Sequence, residues 1–168
     1  DYKWDLGWMN DTLDYFMKTS EERSSRPELL TFSMYYYYNE RHLLPLSHDE
    51  VVQGKKTIID KIFGSYEEKF QQLRLLLTYQ MAHPGKKLLF MGAEFGQFIE
   101  WRFYEQLEWF LLDYESHRLL QNFNSELKKE LGQHRIIVIC YRVADKEAVD
   151  TEILDPVLLQ DPECVKEL

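Results

Sequence analysis

Apolar residues fall along this chain in two kinds of run, long ones at helical spacing and short unbroken ones. Met9, Leu13, Phe16 and Met17 stand at i, i+4, i+7 and i+8, the stripe of an amphipathic helix. Phe70, Leu73, Leu77 and Met81 repeat the stripe from Tyr66 to about Ala82, and Leu120, Phe123, Leu127 and Leu131 repeat it from Glu115 to Leu131. The short runs are Leu43-Leu44-Pro45-Leu46 and Leu88-Leu89-Phe90-Met91. Each is too brief for a helix and does not alternate, which predicts strands buried on both faces. Ile136 to Tyr141 adds a β-rich run that sets a strand at about 136–143, and the aromatic segment Asp1–Asp5 reads as the tail of another.

The polar punctuation agrees with these spans. Ser65 stands as an N-cap before Glu67 and Glu68, where the helix dipole favours acids, and Pro84-Gly85 closes that helix. Lys18 to Arg26 reads as a loop, and Gly54-Lys55-Lys56 as an exposed turn. Pro27 to Tyr38 is predicted helical because Pro27 suits a first turn, although the four tyrosines Tyr35–Tyr38 would equally suit a strand.

Short apolar strands alternating with amphipathic helices indicate an α/β protein with a parallel sheet, either part of a (β/α)8 barrel or an open sheet. The full barrel takes eight strands and about 250 residues, so these 168 residues are expected to form only a fragment, the last three strand–helix units. The expected division is a partial barrel over 1–131 and a divergent acidic tail over 132–168.

Composition narrows the function. An apolar fraction of 45% supports a packed core, and 15% aromatic residues supply half-polar surfaces of the kind that also pack on sugars. A net charge of −9 makes nucleic acid a poor partner. Eight acids against two lysines from Asp145 onward concentrate that charge in the tail. Cys140 and Cys164 have no metal-site or disulfide spacing, so a reducing, cytoplasmic setting is expected. No run reaches membrane-spanning length and no signal peptide opens the chain. The start at Asp1 reads as a sequence cut into.

Candidate chemistry sits after the first short run, at Ser47-His48-Asp49-Glu50. That is the C-terminal end of a strand, where parallel α/β proteins gather ligands and catalytic groups. One reading is support of an oxocarbenium-like transition state at a sugar-cleaving site, with the carboxylate and His gripping sugar hydroxyls. The other has Asp49 capping the next turn and His48 packed. A metal reading through His42, His48, Asp49 and Glu50 lacks the helical His pairing of metalloprotease sites. Gly54-Lys55-Lys56-Thr57 echoes a phosphate loop without its upstream glycine. Glu94 and Glu100 follow the second short strand and stand to line a site or to pair with a nearby Lys or Arg. Trp101 and Trp109 flank a loop and stand either to stack on a sugar or to pack.

Four segments carry a family resemblance. LPLSHDEVVQGK, Leu44 to Lys55, resembles a signature segment of the bacterial α-1,4-glucan (glycogen) branching enzymes of the α-amylase superfamily. DYKWDLGWMNDTLD at the start and PGKKLLFMGAEFGQFIEW, Pro84 to Trp101, resemble two more, and the helix from Tyr114 to Leu131 resembles the closing barrel helix. The resemblance covers about residues 1–131.

It implies an enzyme that cleaves an α-1,4-glucosidic bond, holds the glucan covalently and passes it to a 6-hydroxyl, with no cofactor and no metal. Asp49 then corresponds to the third catalytic carboxylate, the transition-state stabiliser, and His48 to the adjacent sugar-binding histidine. Glu94 and Trp101 are the further substrate-binding candidates, and α-glucan is the implied partner. Gln53 stands where the family usually has histidine. The nucleophilic Asp and acid/base Glu are expected on strands preceding this stretch, so the chain alone is expected to be inactive, a glucan- or partner-binding remnant being the alternative. Exposed barrel edges are expected to favour association.

Overall fold

The computed structural model describes residues 2–131 together with the strand Ile136–Ile139. Strand β1 (Lys3–Trp4) leads into helix α1 (Leu6–Met17), and two short helices follow, α2 (Ser20–Ser24) and α3 (Glu28–Thr31). Strand β2 (His42–Leu46), helix α4 (Ile58–Lys61), helix α5 (Tyr66–Ala82), strand β3 (Lys86–Phe90), helix α6 (Glu115–Leu131) and strand β4 (Ile136–Ile139) complete the order. The four strands form one parallel sheet in sequential order, β1-β2-β3-β4. Leu44 pairs with Lys87 and Leu46 with Leu89, so both apolar runs sit at the sheet's centre.

Each element has a local cause. Asp5 caps α1, its carboxylate accepting from the Trp8 N–H at 2.8 Å. Ser65 and Glu68 form a reciprocal capping box at the start of α5. Phe70, Leu73, Leu76 and Leu77 of α5 pack with Leu44, Leu46 and Leu89 in one core, each buried Leu contributing about 2 kcal/mol. Gln80, also on the buried face, donates to the carbonyls of Leu44 and Leu88, both at 3.1 Å, tying α5 to two strands at once.

The structure departs from the sequence pattern in four places. Ser20–Ser24 is helical where a loop was expected, because Thr19 and Glu22 form a second capping box. The expected helix Pro27–Tyr38 breaks after Thr31 into 3-10 turns at Phe32–Tyr35 and Tyr37–Asn39. There Tyr36 turns in to donate to Asp5 (2.8 Å), while Tyr35 and Tyr38 face solvent. Ile58–Lys61, which the sequence did not single out, is a one-turn helix capped by Thr57. The buried stripe of α6 is His117, Leu120 and Asn124, with Phe123 and Leu131 only half-buried. His117 Nδ1 and Asn124 Nδ2 donate to the carbonyls of Phe95 (2.7 Å) and Glu94 (2.6 Å), so the helix is seated by polar anchors as well as apolar ones. The β-rich run after Arg135 is a strand at Ile136–Ile139, and the tail beyond it lies outside the described residues.

Candidate active-site turn

The polar cluster stands at the C-terminal end of β2. Ser47 is buried, and a 3-10 turn over His48–Glu50 follows without any side-chain cap. Asp49 caps nothing: Thr57 caps the next helix, and the Asp49 side chain is 62% exposed. Its Oδ1 lies 3.3 Å from His48 Nε2. His48 is half-buried, its ring 5.9 Å from those of both Phe90 and Trp101, and its Nδ1 is buried without a hydrogen-bond partner. With the ring proton on Nε2, facing the carboxylate, the bare Nδ1 is the nitrogen left inside. One ring face of His48 is thus packed, while Nε2 stays beside an open carboxylate.

The segment behind the turn is pinned from three sides. Glu100 accepts from the backbone N–H groups of Gly54 (2.9 Å) and Lys56 (2.6 Å), and these bonds hold its carboxyl below the usual carboxylate range. The amides that echoed a phosphate loop are therefore taken by the chain's own carboxylate. Lys56 adopts φ 64°, the left-handed conformation that presents its N–H to Glu100. The Trp101 N–H donates to Val51 O at 2.8 Å. From below, the Lys61 ammonium donates to the carbonyls of Glu50, Lys55 (2.5 Å) and Lys56 (2.8 Å), and its partial burial lowers its pKa. The sequence reading passed over Lys61, although a lysine inside Ile58-Ile59-Asp60-Lys61-Ile62 is a legible sign of a buried ammonium.

Trp101 joins the site. Its half-buried ring lies edge-on to Phe90 at 5.4 Å and borders a small cavity of about 20 Å³ with Val51, Ile58 and Phe90. That volume suits one water. Trp109 instead packs on Phe95, with ring centroids 5.4 Å apart. Glu94 sits with α6: its carbonyl accepts from Asn124, its Oε2 is buried, and burial raises its pKa against the opposing pull of Lys128. The structure thus brings His48, Asp49 and Trp101 together and places Glu94 on the helix side. His42 lies at the opposite end of β2, buried with Asp5 at 3.8 Å, apart from the other residues of the metal reading. Among the described residues no group of three or more His, Cys, Asp or Glu is placed to hold a metal ion, and no helix is long and apolar enough to cross a membrane.

The described residues form a parallel α/β sheet with an exposed carboxylate, a histidine and a tryptophan at a strand's C-terminal end, the end at which ligand sites of such folds lie. Over 136 residues, 81% of its length, the chain is 58% identical to the 1,4-alpha-glucan branching enzyme GlgB of Halothermothrix orenii. It is 56% identical over 126 residues to that of Bacillus caldolyticus and 52% over 128 to that of Francisella tularensis subsp. novicida. By this similarity the chain is a relative of the bacterial 1,4-alpha-glucan branching enzymes. It spans only 22%, 19% and 20% of those three proteins. No family model matches it.

Proposed function

We infer that these residues are a portion of a glycogen branching enzyme, the last strand–helix units of its (β/α)8 barrel, carrying the glucan-facing turn of its site. The sequential parallel order of the strands supports the barrel reading, since consecutive strands in a barrel are neighbours. The observation that carries the functional reading is the solvent-open Asp49 carboxylate beside His48 and Trp101 at the C-terminal end of β2.

Retaining cleavage of an α-1,4 bond passes through an oxocarbenium-like sugar. Asp49 supplies a fixed negative charge and two acceptors, positioned to grip sugar hydroxyls more strongly as the ring distorts. His48 donates to a hydroxyl from Nε2, and Trp101 offers an apolar edge to the sugar. Glu94 is the further sugar contact expected from the sequence; its buried oxygen and its place at α6 make an indirect role, through the loop after β3, the better-supported one. The nucleophile and the acid/base belong to other segments, so the 168 residues alone bind glucan without branching it. The two cysteines, whose spacing suggests neither a disulfide nor a metal site, fit a cytoplasmic setting, and no cofactor enters this chemistry.

Incubation of amylose with this polypeptide alone is expected to leave iodine staining unchanged. A substantial drop would overturn the assignment of the missing carboxylates. Trp101→Ala is expected to weaken maltoheptaose binding about tenfold, some 1.4 kcal/mol, by isothermal titration. A second reading, association through the sheet edge, is favoured by β1, which has a free edge and exposed Tyr2, Trp4 and Leu6. Sedimentation of the wild type against Trp4→Lys tests it, a smaller sedimentation coefficient being expected for the variant.

A further inference from the structure

We propose that Lys61 is a positioning residue for the glucan-facing turn, its ammonium fixing the segment that runs on from Asp49. This rests on the reading of His48–Asp49 as a sugar site. An ammonium has three N–H donors in a tetrahedral array, and here three backbone carbonyls converge on it, those of Glu50, Lys55 and Lys56. Glu50 is the residue next to Asp49, and Lys55 and Lys56 close the loop six residues on, so one cation draws both ends of the loop together. Partial burial makes the charge costly unless those carbonyls satisfy it, which is why the lowered pKa accompanies the geometry.

The same loop is held from the other side. Glu100 takes the N–H groups of Gly54 and Lys56, the Trp101 N–H reaches Val51 O, and Lys55 Nζ donates to Asp49 O at 2.8 Å. Lys56 is gripped twice, its carbonyl by Lys61 and its N–H by Glu100. Lys61 and Glu100 therefore work as a pair, one cation on the carbonyls and one anion on the amides. Lys61 draws the ends of the Asp49 loop together, and Glu100 with the Trp101 N–H ties that loop to the one carrying Trp101. Arginine would not replace Lys61, because a planar fork cannot converge on three carbonyls arranged for a tetrahedral ammonium.

The full 168-residue chain is titrated with maltoheptaose as wild type, Lys61→Met, Lys61→Arg and Glu100→Gln, and amide hydrogen exchange is followed at Gly54 and Lys56. Lys61→Met and Lys61→Arg are both expected to weaken binding at least tenfold and to speed exchange at these amides at least tenfold. Glu100→Gln, exposed and nearly isosteric, is expected to weaken binding about threefold with the fold intact, which serves if the Lys61 variants do not fold. Wild-type affinity in Lys61→Met, or full rescue by arginine, overturns the positioning role, as does unchanged binding and exchange in Glu100→Gln. Absence of maltoheptaose binding by the wild type overturns the underlying sugar site instead.

Discussion

Lys87 shows at the residue scale what a buried charge does to this fold. It lies in the middle of the sheet, 1% exposed, with Nζ donating to the carbonyls of His83 (2.6 Å) and Gly85 (2.5 Å). Burial lowers its pKa to about 8, against about 10.4 for a free lysine. Between those values the unfolded chain binds more protons than the folded one, so this group's contribution to stability grows as pH rises from about 8 to about 10.4 and is lost as pH falls back through 8. The expected outcome is that the difference in urea midpoint, wild type minus Lys87→Met, increases across that window; a flat difference would refute the depressed pKa. The sequence Lys86-Lys87 carried no hint of this asymmetry. Strand alternation sends Lys86 to the Tyr2 ring, 4.0 Å away, and Lys87 inward, and which residue goes inward depends on the register with β2.

At the scale of elements, strongly periodic and capped segments were legible and weakly patterned ones were not. Helix α5 runs from Tyr66 to Ala82 as its stripe and Ser65 cap predict, because local and tertiary preferences agree there. Ser65→Ala is expected to cost about 1 kcal/mol in denaturant unfolding, and Leu73→Ala, fully buried under the sheet, about 3 kcal/mol. The expected helix Pro27–Tyr38 is broken because Tyr36 and Ser33 find partners elsewhere, Asp5 and His83 Nε2 (2.8 Å each), and those bonds outweigh continued helix. The loop after β3 was illegible for a different reason: its conformation rests on Gly96, at φ +75°. A Cβ there would meet Ile59 Cδ1 and Leu120 Cδ2 at 3.1 Å each, so Gly96→Ala combines left-handed strain with crowding between α4 and α6. A loss of at least 1–2 kcal/mol is expected from the strain alone, measurable as a lowered thermal midpoint. An unchanged midpoint would mean that the loop relaxes.

At the scale of the whole molecule, the short apolar strands made the parallel sheet readable, and the polar cluster after Leu46 placed the candidate site at the C-terminal end of β2. The support of that site was not readable, because Lys61 and Glu100 act through backbone atoms whose positions no side-chain pattern announces. Glu94 illustrates the converse. Its position after a strand suggested a place in the site, and its carbonyl also anchors α6 through Asn124, a contact no sequence pattern announces. The chain spans about a fifth of the length of those relatives and presents one exposed carboxylate beside a histidine at the end of β2.

The claim that this turn meets α-glucan is tested most directly by a residue-resolved amide titration of the full chain with maltoheptaose, alongside Asp49→Asn. The account predicts saturable shifts at His48, Asp49 and the Trp101 side-chain N–H, lost in the variant. Saturating sugar that leaves these three signals unmoved, or moves them equally in Asp49→Asn, would contradict it.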